Sequence, residues 1–248
     1  MATGYHSIVY RLSDVDPHYS NGTGCGVSHD HSSVLPTSAS VHTKNSRAAF
    51  DPSKTICNLL IIVDERFYAS HTSSGLSERQ RMVQACAFVA EVVQGVNEIF
   101  YSTDFDGTQG IRFVISNLTI LTEAPPGFEP SNIGHERYLT LHSQEDYTQY
   151  CLAYRITSRV FDGGVLGFAY VNNGDYFAGI CAQFNGGTTY NTGIVTVTYF
   201  GGQTVPMAQV MLALAHEFGH NFGSDVSVGV NILYVSLYVC KGWLYWSS

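Results

Sequence analysis

At 248 residues, 45% of them hydrophobic, the chain is long enough to bury one medium-sized core. Charged residues make up only 13%, with 12 basic against 20 acidic side chains and a formal charge of -8. Clustered Lys and Arg are missing, which argues against nucleic acid as a partner. Residues 1–20, "MATGYHSIVYRLSDVDPHYS", have neither a basic start nor an apolar run, so no signal peptide is read there. Residues 20–55 are rich in Ser, Thr, Gly and His and read as linker. Inside that stretch, Lys44-Asn-Ser-Arg47 is a basic-x-x-basic pattern, either a point where a processing protease reaches the backbone or an ordinary solvated loop.

From Cys57 the pattern changes. "CNLLIIVD" is a continuous apolar, β-branched run that predicts a strand buried on both faces. "SERQRMVQACAFVAEVVQGVNEIFY" predicts a long helix, with Ser77 and Gln80 as a capping box and Met82, Cys86, Val89, Val93, Val96 and Phe100 as its apolar stripe. Strands are expected at "IRFVISNLTIL", "CLAYRIT", "GVLGFAYV" and "TGIVTVTYF", and a further helical stretch near "GHERYLTLHSQEDYTQY". Pro206 opens a last helix at its first position; it runs to about Phe222, and Gly223 is its stop. Strands interleaved with helices predict an α/β sheet with helices on both faces. After Asp225 the chain becomes an apolar, aromatic tail without acidic residues; its breaks at Ser, Gly and Asn disfavour a membrane span without excluding one.

Six cysteines, at positions 25, 57, 86, 151, 181 and 240, form no CxxC pair, which favours disulfides over a zinc knuckle. Two Asn-X-Thr sequons, at Asn21 and Asn117, also fit an exported, oxidising setting. Such a setting without a leader is expected of a fragment or an incomplete gene product.

The chemistry concentrates in "AHEFGHNFGSDVSVG", residues 215–229. Positions four apart on a helix share a face, so His216 and His220 can offer two imidazole nitrogens to one Zn2+ at about 2.0–2.1 Å. Glu217 projects beside them, where it can take a proton from a metal-bound water and pass it to a leaving amine. Gly223 supplies the turn that would bring in a third ligand. Three residues on, the expected histidine is replaced by Val226.

With "TICNLLIIVD", "YSTDFDG", "SNIG", "YCLAYRIT", "FDGGVLGFAYV", "FAGIC", "NTGIVTVTYFG" and "AHEFGHNFGS" in order, the chain over about residues 5–224 resembles the reprolysin-like zinc endopeptidases of the ADAM type, nearest their kuzbanian-like branch. The resemblance implies a metzincin fold: a three-layer α/β arrangement with a twisted, mostly parallel sheet. It makes "GVLGFAYV" the edge strand, with Val165, Leu166 and Gly167 offering backbone groups to an extended substrate; an interior strand is the alternative. It implies protein or peptide substrates, in particular the ectodomains of membrane proteins, and a place in the secretory pathway, at the cell surface or outside it. It divides the chain into residues 1–47, the end of a prodomain; 48–225, an incomplete catalytic domain; and 226–248, an atypical tail.

In that scheme Cys25 lies where the family's prodomain cysteine closes the open zinc position and holds the enzyme latent, with the chain's own pro-segment as a partner. The alternative for Cys25 is a disulfide to Cys86 or Cys240. Arg47 marks the activation cut. Cys57 and Cys151 match positions the family joins by a disulfide, and Cys181 matches a family cysteine whose partner lies past the point of departure.

The family's third histidine, aspartate and methionine turn are missing, since Val226 follows Asp225 and Met211 is the last methionine. Asp225 is the nearest substitute ligand, because some catalytic zinc sites use two His and one carboxylate. Two functions therefore compete: a zinc metalloendopeptidase, or a truncated product that binds substrate or pro-segment without cutting.

Overall fold

The computed structural model describes residues 55–105, 108–172, 178–180 and 182–224. Cys25, Lys44, Arg47, Cys181, Asp225, Val226, Cys240 and the apolar tail lie outside these residues.

Among the described residues five strands form one sheet in the order β2-β1-β3-β5-β4. β1 (Ile56–Val63) sits between β2 (Arg112–Ile120) and β3 (Leu152–Thr157), parallel to both, and β5 (Thr192–Thr196) lies parallel to β3. Only β4 (Gly167–Ala169) runs antiparallel, and it closes the order at one edge. β1 is buried on both faces because it is central: Leu59, Ile61 and Val63 face one core cluster, Leu60 and Ile62 another. The expected α/β architecture with a mostly parallel sheet is the one observed.

Helix α2 (Glu78–Ser102) has the expected start, with the Ser77 side chain accepting from Gln80 N and the Gln80 side chain returning to the Ser77 N–H at 3.0 Å. Its buried stripe differs from the sequence reading in the first turns. Ala85, Val89, Val92, Val93, Val96 and Phe100 face inward, whereas Met82 is half-buried and Cys86 is exposed. A 3.6-residue period drifts relative to strict four-residue steps, so the stripe runs through Ala85 and Val92 instead of Cys86. At Gly95 a Cβ would meet the Met211 side chain, so the glycine lets α2 lie close to the helix that carries Met211.

Helix α1 (Glu65–His71) was not anticipated. Asp64, read as the end of a strand, is its N-cap and accepts from Phe67 N at 2.9 Å. The same buried carboxylate accepts from Tyr138 Oη at 2.7 Å and from Thr157 Oγ1, and Arg159 stands 3.8 Å away. Helix α3 (His135–His142) is shorter than expected; Ser143 caps it and residues 144–150 form turns. A 3-10 turn, Asp162–Gly164, precedes β4.

The layers follow from these faces. α2 and the last helix, α4 (Met207–Asn221), bury Val93, Phe100, Leu214 and Phe218 against one side of the sheet. α3 buries Tyr138 and Leu139 against the other side, with Phe161, Phe168 and Ile194. A disulfide joins Cys57 at the start of β1 to Cys151 just before β3, across a sequence separation of 94.

Candidate active site

α4 follows Pro206, which serves as its N-cap and not its first helical residue. The helix ends as its sequence requires. Gly223 takes φ +97°, and Gly223 N and Ser224 N bond back to the carbonyls of His220 and Gly219 at 2.9 Å each.

His216 and His220 are brought together. Their Nε2 atoms stand 3.0 Å apart, with the ring planes at 85°. His220 is buried, and its Nδ1 lies 2.8 Å from the Ser224 carbonyl. A carbonyl only accepts, so His220 Nδ1 carries a proton, which holds the ring with Nε2 towards His216. Burial, helped by the neighbouring His220, lowers the His216 pKa to about 4, so that ring is neutral near pH ~7. The two ring nitrogens converge on one point, the arrangement a two-nitrogen metal half-site needs. Among the described residues no group of three His, Cys, Asp or Glu side chains is placed to hold an ion.

Glu217 is 1% exposed and lies directly under the edge strand. A Cβ built on Gly167 would come within 2.5 Å of Glu217 Oε1 and 2.6 Å of its Cγ, so glycine at this strand position makes the room for the carboxylate.

The ladder between β4 and β5 decides which edge groups face outward. Leu166 O accepts from Thr196 N at 2.8 Å and Tyr170 N donates to Thr192 O at 3.4 Å. Antiparallel pairing alternates, so Gly167 and Ala169, opposite Val195 and Gly193, turn their N–H and C=O groups away from β5. This corrects the expectation for Leu166, whose carbonyl is already occupied. Val165 precedes the strand and packs its side chain into the core on the α3 side.

Sequence reasoning missed the residue after the second histidine. Asn221, fully buried, accepts from Tyr154 Oη on β3 and donates Nδ2 to Tyr170 O at 2.9 Å and Thr192 O at 3.4 Å. Asn172 N also donates to His220 O at 2.9 Å. The C-terminal end of the histidine helix is thereby tied to β3, to β5 and to the segment that follows β4. Two glycines make this contact possible: at Gly193 a side chain would overlap the Tyr154 ring, and at Gly179, φ +79°, it would overlap the Asn221 carbonyl. Glycines inside or beside apolar strands were the available signal.

The sequence profile described as "Metallo-peptidase family M12B Reprolysin-like" matches residues 82–228. "Disintegrin and metalloproteinase domain-containing protein 10" of Xenopus laevis is 33% identical over 260 aligned residues, covering 92% of this chain and 34% of that protein. The protein of that name from Homo sapiens is 31% identical, covering 91% and 33%. The Caenorhabditis elegans homolog of that protein is 37% identical, covering 53% and 17%. The chain thus spans about a third of the length of the first two relatives. With the HExxH helix, the parallel sheet and a matching profile across more than half its length, the chain belongs to the M12B reprolysin-like metallopeptidase family, and within it to the ADAM type.

Proposed function

We propose that residues 48–225 are the catalytic domain of an ADAM-type zinc metalloendopeptidase. Residues 1–47 would be the end of a pro-segment processed at Arg47, and residues 226–248 an atypical tail. The observation that carries this reading is the convergence of His216 and His220 Nε2 at 3.0 Å beside the buried Glu217. These two histidines would hold Zn2+. Asp225, next in the chain after Ser224, is the substitute third ligand, and Cys25 takes that place while the pro-segment is attached. Zinc, when bound, supplies Lewis acidity and brings the pKa of water towards ~7.

The protein's own groups do the rest. Gly167 and Ala169 pair with the backbone of an extended peptide at the open edge, as a further strand would. Glu217 accepts a proton from the attacking water and returns it to the nitrogen of the leaving amine. Asn221 keeps the histidine helix and the edge strand in fixed relation. Protein substrates, in particular ectodomains of membrane proteins, and a place in the secretory pathway or at the cell surface follow from the family reading. Among the described residues no helix is long and apolar enough to cross a membrane.

A second reading, a non-catalytic product that binds substrate or pro-segment without cutting, draws on Val226 at the expected ligand position. One experiment separates the two: metal content of the purified chain, with cleavage of a generic peptide by wild type and Glu217→Ala. Stoichiometric zinc with cleavage that Glu217→Ala abolishes supports the enzyme. Metal-free, inert protein supports the second reading.

A further inference from the structure

The sheet has a second edge, far from the histidines. β2 is nine residues long, and in the sheet order its outer side pairs with no other described strand. Its register against β1 shifts between Leu59 and Leu60: Leu59 pairs with Ile115 and Leu60 with Asn117, leaving Ser116 as the extra residue of a bulge. On the near side of the bulge Phe113 and Ile115 pack towards the α2 cluster, and on the far side Leu118 and Ile120 do. The bulge thus resets the alternation and turns Asn117 and Thr119 together to the opposite face. Asn117 is exposed there, and its Nδ2 donates to Tyr150 Oη at 3.2 Å.

We propose that Asn117, in the sequon Asn117-Leu118-Thr119, is an N-glycosylation site. The donor is an oligosaccharide linked to a lipid diphosphate. A bond forms between Asn117 Nδ2 and the anomeric carbon of the first sugar, and the bond from that carbon to the lipid diphosphate breaks. The diphosphate leaves with the electron pair, and Nδ2 gives up one of its two protons. One N–H remains on Nδ2 after the transfer. An oligosaccharide on this face also stands beside the outer β2 edge, where it hinders strand addition by another chain.

This site rests on the secretory setting proposed above, and the test keeps the two apart. The full chain is expressed behind a cleavable secretion leader in a eukaryotic host, as wild type, Asn21→Gln and Asn117→Gln. Intact mass is measured before and after amide-cleaving glycosidase, and peptide mapping without reduction follows the Cys57–Cys151 disulfide. The expected result is disulfide-bonded protein with Asn117 converted to aspartate by the glycosidase, and one glycan fewer in Asn117→Gln than in wild type. Unmodified Asn117 in protein that carries the disulfide overturns the site alone. A reduced Cys57–Cys151 pair in that sample overturns the secretory reading, and the site falls with it.

Discussion

Gly167 shows how one missing side chain sets the site. Because a Cβ there would lie 2.5 Å from Glu217 Oε1, Gly167→Ala forces the buried carboxylate or the edge strand to move. The expected cost is about 1–3 kcal/mol of unfolding free energy in urea. In a double-mutant cycle, Glu217→Ala removes the obstructing atoms, so the double variant loses less than the sum of the single losses; additive losses would contradict the direct contact. Asn221 makes a second case. Asn221→Leu strips Tyr154 Oη of its buried acceptor and the Tyr170 carbonyl of a donor, at about 1–3 kcal/mol by the same measurement. Tyr154→Phe in that background should recover part of the loss, since the hydroxyl that donated to Asn221 is then removed as well. Neither contact was legible in the sequence, because each joins residues far apart along the chain. The histidine pair was legible because a helix fixes positions four apart by local geometry alone.

At the scale of elements, the same distinction explains which parts of the fold could be read. β1 and α2 carry their signals locally, in an uninterrupted apolar run and a capping box, and both lie within a residue of the expected bounds. Helix α1 escaped because its cap, Asp64, takes much of its meaning from Tyr138 and Thr157, residues on distant elements. α3 was read too long because residues 144–150 are polar and suit helix or turn equally until Thr189 engages them. Its N–H donates to Ser143 O at 2.8 Å and its hydroxyl to Glu145 O at 2.6 Å. The β2 edge brings the prediction that belongs here. If the Asn117 glycan shields that edge, secreted Asn117→Gln self-associates at concentrations where the glycosylated protein is monomeric, as light scattering with size-exclusion chromatography would measure. Equal behaviour of the two forms would show that the bulge and the polar face of β2 suffice.

For the whole molecule, acid stability turns on a histidine that takes no part in the site. His142 at the end of α3 is fully buried: Nε2 lies 3.1 Å from the Ala153 carbonyl and Nδ1 3.2 Å from Tyr147 Oη. The carbonyl fixes the proton on Nε2 and leaves Nδ1 to accept from Tyr147, so the neutral ring is fully satisfied. Burial first, then the charge of Arg155, lowers its pKa to about 3, against the pull of the Ala153 carbonyl. An unfolded chain returns the ring to its ordinary value near 6.5. Between those values the unfolded state binds a proton that the folded state refuses, so unfolding free energy rises with pH across the window and this contribution is level above it. On acidification the stability is lost progressively from about pH 6.5 towards pH 3. Carboxylates titrate in the same range, so the informative quantity is the difference from His142→Gln, whose amide can still donate to Ala153 O. With the disulfide intact, the wild-type slope of unfolding free energy against pH should exceed the variant's by up to one proton, about 1.4 kcal/mol per pH unit. Parallel slopes would mean that the ring charges inside the folded protein, with Tyr147 turning its hydroxyl to Glu145 Oε2, 3.4 Å away, to make way for the second proton.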